Sequence, residues 1–134
     1  MPLDLDALPD RTTSLLREGT FAALTTIRPN GRPHTAVVGY VFDAETHECW
    51  LLLRGSGVKH ANLTAAGGEQ SVTLCQSGEG GRWITFEGTL ALRPGPDALA
   101  ETLRRYRSRY GAQIGDDPTR VAAILTVTKA YGTG

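Results

Sequence analysis

TFAALTTIRPNGRPHTAVVGYVFDAETHECWLLLR, residues 20–54, decides the fold. Its first part, "TFAALTTIR", alternates and is rich in threonine, which suits a pleated, half-buried surface. Asn30-Gly31 is a hairpin pair, because a tight two-residue turn needs positive φ and these residues tolerate it. "PHTAVVGYVF" then returns as a second strand, "DAETH" turns the chain again, and "ECWLLLR" is a third. Three strands joined by short turns form an antiparallel meander.

The rest of the chain extends that pattern. On the N-terminal side, Pro9 to Glu18 reads as a helix with proline near its start and Gly19 as its stop. After Arg54, the stretch "GSGVKHANL" reads as a second helix over residues 57–66, with Ser56 as its N-cap and Gly67-Gly68 as its end. "QSVTLCQ" is a fourth strand, "SGEGG" a loop, and "RWITFEGTLALR" a long fifth strand bent at Gly88. From Asp97 to Tyr110, Leu99, Leu103, Tyr106 and Tyr110 recur at helical spacing, which leaves Arg104, Arg105, Arg107 and Arg109 mostly around the wet side. "RVAAILTVTKAYG" is the sixth strand. Six strands, mostly antiparallel, with short helices and no βαβ rhythm, describe a mainly β protein: one small six-stranded antiparallel barrel over residues 1–134.

Composition narrows the function classes. Fourteen basic residues balance fourteen acidic ones, which argues against a nucleic-acid or membrane-surface binder but allows a local basic pocket. Hydrophobic residues make up 40%, enough for a real core. Cys49 and Cys75 each sit in an apolar strand, as buried thiols of a reducing compartment do. With no leader pattern and no long apolar run, the expected location is the cytoplasm.

The candidate chemistry is sparse. His34, His47 and His60 stand in no metal-ligand spacing with one another or with the cysteines, so no metal site is expected. No serine has a nucleophile-elbow context, and no catalytic residue is assigned. What stands out is "RGSGVKHANL", residues 54–63. Arg54 closes a strand, Gly55 and Ser56 lead into a helix entrance, and Lys59 and Asn62 are three apart, on one helical face. An anion would be held there by cations and free backbone N–H groups. The plainer reading is a solvated loop with an ordinary lysine. In "GGRWITFEG", Arg82 and Trp83 set a cation beside a flat apolar ring; the plainer reading there is an arginine running past a core tryptophan.

Taken together these stretches resemble a known family. "AALTTIRPNGRPHTAVVGYVFD", "RGSGVKHANL", "RWITFEGTLAL" and the closing "RVAAILTVTKAYG" are similar to the flavin and deazaflavin oxidoreductases related to pyridoxamine 5'-phosphate oxidase. That family has an FMN-binding-protein-like split β-barrel. "AVVGYVFDAETH" and "GGRWITFEG" are most like the small branch that uses coenzyme F420, particularly its biliverdin reductase members. The resemblance implies a homodimer with two cofactor sites at its interface. It implies that Lys59 and Asn62 belong to the phosphate grip and that the backbone of Val37, Val38 and Gly39 faces the ring system. It also implies that Arg82 and Trp83 come across from the partner. Several relatives carry an arginine where this chain has Gly57, and Arg54 is the residue expected to supply that charge. The implied activity is hydride transfer from reduced F420 to a conjugated small molecule, with the chemistry carried by the cofactor. An FMN-binding oxidase-like protein and a non-catalytic cofactor-binding module are the alternatives.

Overall fold

A computed structural model of the chain describes residues 2–111, 117 and 119–133. The strands are β1 (Ala22–Ile27), β2 (Pro33–Val38), β3 (Val41–Asp43), β4 (Glu48–Arg54), β5 (Glu69–Ser77), β6 (Trp83–Arg93) and β7 (Arg120–Gly132). The helices are α1 (Asp10–Leu16), α2 (Val58–Ala65) and α3 (Pro96–Tyr110). All strand pairs are antiparallel, in the order β2-β1-β5-β6-β7-β4-β3.

Seven strands replace the six expected from sequence. The second expected strand, "PHTAVVGYVF", is interrupted at Gly39 and Tyr40, and its halves lie at opposite edges of the sheet. Two residues reach only about 7 Å when extended. Edges joined so closely require the sheet to curl back on itself, so the chain forms a split barrel whose seam lies between β2 and β3. Pairing with different neighbours on each side of the break explains why an unbroken β pattern in the sequence becomes two strands.

The strands otherwise follow their period-2 pattern. β4 buries Cys49, Leu51 and Leu53 on one side, and β1 buries Ala22, Leu24 and Thr26. All but Thr26 meet Leu74, Phe86, Leu90 and Leu125 in one core. The expected bend at Gly88 is a register shift in the β6–β7 ladder between Glu87 and Gly88.

Helix α3 starts with proline at its first turn beside Asp97 and ends with Arg107 and Arg109, charges of the signs that its dipole favours. Two of its arginines are not on a wet face. Arg105 pairs with Asp43 at 2.9 Å and lies 4.0 Å from the Trp50 ring centroid. Arg109 donates to the Leu16 carbonyl at 2.5 Å. Their long side chains reach over the rim of the sheet and tie α3 to β3, β4 and the end of α1, a tertiary role that helical periodicity does not reveal.

Helix α2 begins at Val58, with Gly57 in the N-cap position and no side-chain cap bond. Ser56 is exposed and is not the cap. No helix among the described residues is long and apolar enough to cross a membrane.

Candidate functional site

A cavity of about 660 Å³ opens where β2 and β3 part. Val37, Val38 and Gly39 form one side and Leu52 and Leu53 another. Tyr106 and Tyr110 of α3 flank them, with Phe21 beside the mouth. Arg54, Gly57, Lys59 and Arg120 complete the lining. The cavity is therefore two-ended in character, with flat apolar and aromatic surface on one part and three cationic side chains on another. Phe21 is 62% exposed and Val37 72%. Phe21 and Tyr110 lie with ring centroids 5.7 Å apart.

The strand break makes this space, and two phenols keep it open. A continuous strand would have paired the backbone around Gly39 and Tyr40 with its neighbours. Here the Tyr106 hydroxyl donates to the Gly39 carbonyl at 2.5 Å and accepts from the Leu52 N–H at 3.0 Å. The Tyr110 hydroxyl accepts from the Tyr40 N–H at 3.0 Å. Its proton is shared between the carbonyls of Tyr40, at 2.9 Å, and Thr20, at 3.1 Å. Gly39 suits this packing, since a Cβ there would stand 3.1 Å from Cε2 of Tyr106 and the ring would have to give by a few tenths of an ångström. Burial pushes the Tyr106 phenol well above its ordinary range, so it stays protonated and holds backbone. Beneath the seam, burial does the same to Tyr40, whose hydroxyl donates to Gln76. Gln76 in turn donates to the Leu15 carbonyl at 2.9 Å and to Thr20 Oγ1 at 2.7 Å.

Removing the Tyr106 hydroxyl tests this account. Tyr106→Phe strands one carbonyl and one N–H at a half-open site, and the expected cost is about 1–2 kcal/mol. Urea denaturation should return that loss with an unchanged slope, and a variant as stable as the parent would refute the role.

The structure brings together six residues of the segments singled out from sequence: Val37, Val38, Gly39, Arg54, Gly57 and Lys59 all face one cavity. Others do different work. The Gly55 N–H is bonded to the Thr119 carbonyl at 2.9 Å, and a Cβ there would come within 2.8 Å of that oxygen. Gly55 thus lets β7 enter closely beside β4. The Gly57 N–H is bonded to the Arg54 carbonyl at 3.0 Å. Neither amide is free for an anion, contrary to the expectation for a glycine-rich helix entrance. Asn62 is 4% exposed and donates to Thr26 Oγ1 at 3.0 Å. It pins α2 to β1 and does not join Lys59 at the cavity. Ser56 lies outside the lining.

Arg82 and Trp83 do not line the cavity of their own chain. Arg82 is held by an ion pair with Glu18 and by a bond to the Glu79 carbonyl at 2.9 Å. Trp83 is partly exposed beside it.

Sequence reasoning missed Arg120, Phe21, Tyr106 and Tyr110 as lining residues. The two tyrosines were legible as one helical face, but their partner surface was not. Arg120 is the first residue of the last strand, far in sequence from Lys59.

Comparison with known proteins agrees with this architecture. The chain is 29% identical over 126 residues to an F420H2-dependent biliverdin reductase of Mycobacterium tuberculosis (strain CDC 1551 / Oshkosh), covering 94% of this chain and 88% of that protein. Its fold is similar to that of the conserved hypothetical protein Rv2991 of Mycobacterium tuberculosis, with a TM-score of 0.75 at 20% identity over 98% of this chain and 89% of the other. It is also similar to a structure described as an F420 reductase, with a TM-score of 0.70 at 19% identity over 92% and 98% of the two chains. Residues 8–134 match the model of the pyridoxamine 5'-phosphate oxidase family, and with its seven-stranded split barrel the chain belongs to that family.

Proposed function

We propose that this chain is an F420-dependent oxidoreductase that reduces a conjugated small molecule, biliverdin or a related tetrapyrrole. The observation that carries this reading is the two-ended cavity. Its volume of about 660 Å³ lies in the range of cofactor and small-molecule pockets. A flat ring system suits the surface made by Val37, Gly39, Phe21 and Tyr110, and an acidic tail suits Arg54, Lys59 and Arg120. The likeness to an F420H2-dependent biliverdin reductase supports the same choice.

Bound in reduced form, F420 would supply a hydride from its ring. The residues of the chain bind and orient. Val38, Leu52 and Leu53 would exclude water from the ring, and Lys59 and Arg54 would hold the phosphate. Tyr106 holds the Gly39 carbonyl and Tyr110 the Tyr40 backbone, which keeps this wall of the cavity in place. Hydride addition to a conjugated acceptor also takes up one proton, which solvent at the open mouth of the cavity can supply.

The exposed Phe21 and Val37 at the mouth support a second part of the reading, a two-fold homodimer in which the partner covers the open side. Arg82 and Trp83 are the residues expected to approach the partner's cavity. Light scattering at micromolar concentration should return twice the 14.4 kDa chain mass. A monomer there would overturn the dimer.

The decisive measurement is a pair of titrations. F420 should bind more tightly than FMN, the protein should purify colourless from a host that does not make F420, and reduced F420 should be consumed on adding biliverdin. The family description also fits the FMN-binding alternative. Purification with stoichiometric FMN, or equal affinity for both cofactors, would establish that alternative. F420 binding with no consumption by any conjugated acceptor would favour a non-catalytic binding module.

A further inference from the structure

Three aromatic rings stand in file along one wall of the cavity. Tyr106 is buried, Tyr110 half-buried and Phe21 62% exposed, and all three line the space. The ring centroids of Phe21 and Tyr110 lie 5.7 Å apart and those of Tyr110 and Tyr106 5.6 Å apart, tilted at each step. The row thus runs from the interior to the mouth. The Tyr106 proton goes to the Gly39 carbonyl, and the Tyr110 proton is shared between the carbonyls of Tyr40 and Thr20. Both phenol protons are spent on backbone, so what this row offers a ligand is ring surface.

Phe21 differs from the two tyrosines. It has no polar atom to anchor backbone, and its ring lies outside the buried core. Its own backbone is nevertheless held from both sides. The carbonyl of Thr20, the residue before it, accepts from Tyr110 at 3.1 Å and from Arg109 at 3.3 Å, and Thr20 Oγ1 accepts from Gln76 at 2.7 Å. On the other side Ala22 pairs with Val38 at the end of the β1–β2 ladder, one step short of Phe21 and Gly39. Leaving a large apolar ring in water is unfavourable, and a ligand that covers it removes that cost. The nearest ring, Tyr110, is itself part of the lining, which sets Phe21 towards the cavity.

We propose that Phe21 is a specificity-determining residue that contacts the acceptor, its ring stacking on a flat conjugated system at the cavity mouth. The proposal rests on the reading of this cavity as the site of a reduction. A cofactor ring seated against Val37 and Gly39 is approached from the open side, and Phe21 borders that approach. Aromatic faces attract one another in offset or tilted stacks, and such contacts accept many ring systems provided that they are flat. With both phenol protons engaged inside the protein, this wall selects by planarity and not by hydrogen bonding. Planar conjugated acceptors are favoured over saturated or bent ones of similar size. Leucine at 21 would keep apolar area and lose the aromatic face, whereas tryptophan would keep both.

The test uses the full chain with Phe21→Ala, Phe21→Leu and Phe21→Trp and two probes, biliverdin and F420, each titrated by absorbance. The Kd for biliverdin should increase about five- to thirtyfold in Phe21→Ala, on the scale of one lost stacking contact. It should increase about threefold or more in Phe21→Leu and stay near the parent value in Phe21→Trp. The Kd for F420 should stay within about twofold of the parent value throughout, and light scattering of the same samples should return one unchanged mass. Should Phe21→Ala fail to fold, Phe21→Leu decides alone. Equal biliverdin affinity in the parent and a folded Phe21→Ala, whether both bind or neither does, overturns the proposal. A loss confined to F420 also overturns it and gives the ring to the cofactor. A changed mass with unchanged biliverdin affinity overturns it too and gives the ring to the partner subunit. If F420 binds neither protein while biliverdin binds the parent and not Phe21→Ala, the acceptor contact stands and the F420 assignment falls.

Discussion

Lys59→Ala combined with Arg54→Ala should weaken F420 binding by at least about a hundredfold. Each side chain faces the cavity, and each can make a charge-assisted hydrogen bond worth about 1.5–3 kcal/mol in binding, or roughly ten- to a hundredfold. The single variants should each fall in that range, and the double need not reach the product because the two act on one group. Stability should move little. Neither side chain belongs to the buried core, and Arg54 sits opposite another arginine. Binding is measured by titration and folding by thermal denaturation of the same samples. A double variant that binds F420 as the parent does would place the acid end of the cofactor elsewhere. A double variant that melts far below the parent would show these residues to be structural.

The second large effect is on the sheet itself. Gly88→Ala should destabilise the protein by about 3–5 kcal/mol, at the upper end of single substitutions. An added Cβ would lie 1.9 Å from the Thr126 carbonyl oxygen, 2.9 Å from its carbon and 3.1 Å from Val127 Cα. These are backbone atoms of the adjacent strand, so no rotamer change relieves the overlap. The position is the register shift between β6 and β7, in the middle of the sheet. For a domain of this size such a loss lowers the melting temperature by about 10–20 °C. Gly67→Ala is the control. Its φ is +86° and nothing lies within 4 Å of an added Cβ, so only the conformational cost applies, about 1–2 kcal/mol. If Gly88→Ala costs no more than Gly67→Ala, the close approach at the bulge is not a constraint on this fold.

Most of the elements were legible in the sequence. Alternation in "TFAALTTIR" and "ECWLLLR", the Asn30-Gly31 turn, the glycine at the bend of β6 and the tyrosine face of α3 are local signals, each set by backbone conformation or by the period of a strand or helix. They were legible because burial on one face repeats along the chain. Arg54 and Lys59 stood out as cations at a helix entrance, whereas Val37 and Gly39 were singled out only through the resemblance to a known family.

Tertiary structure alone decided the rest. The break at Gly39 and Tyr40 follows from sheet closure, because one stretch of β-forming sequence must serve both edges of a curled sheet. Asn62 and Lys59 share a helix, yet packing of α2 against β1 takes one inward to Thr26 and leaves the other at the cavity. Gly55 looked like a place for an anion and proved to be a place for a strand, since the distance to Thr119 depends on where β7 arrives. Arg120 joined the cationic end for the same reason. Its distance in sequence from Lys59 carries no information about the register that sets it opposite Arg54. Local pattern fixes what each segment becomes, and only long-range pairing fixes which side chains share a site.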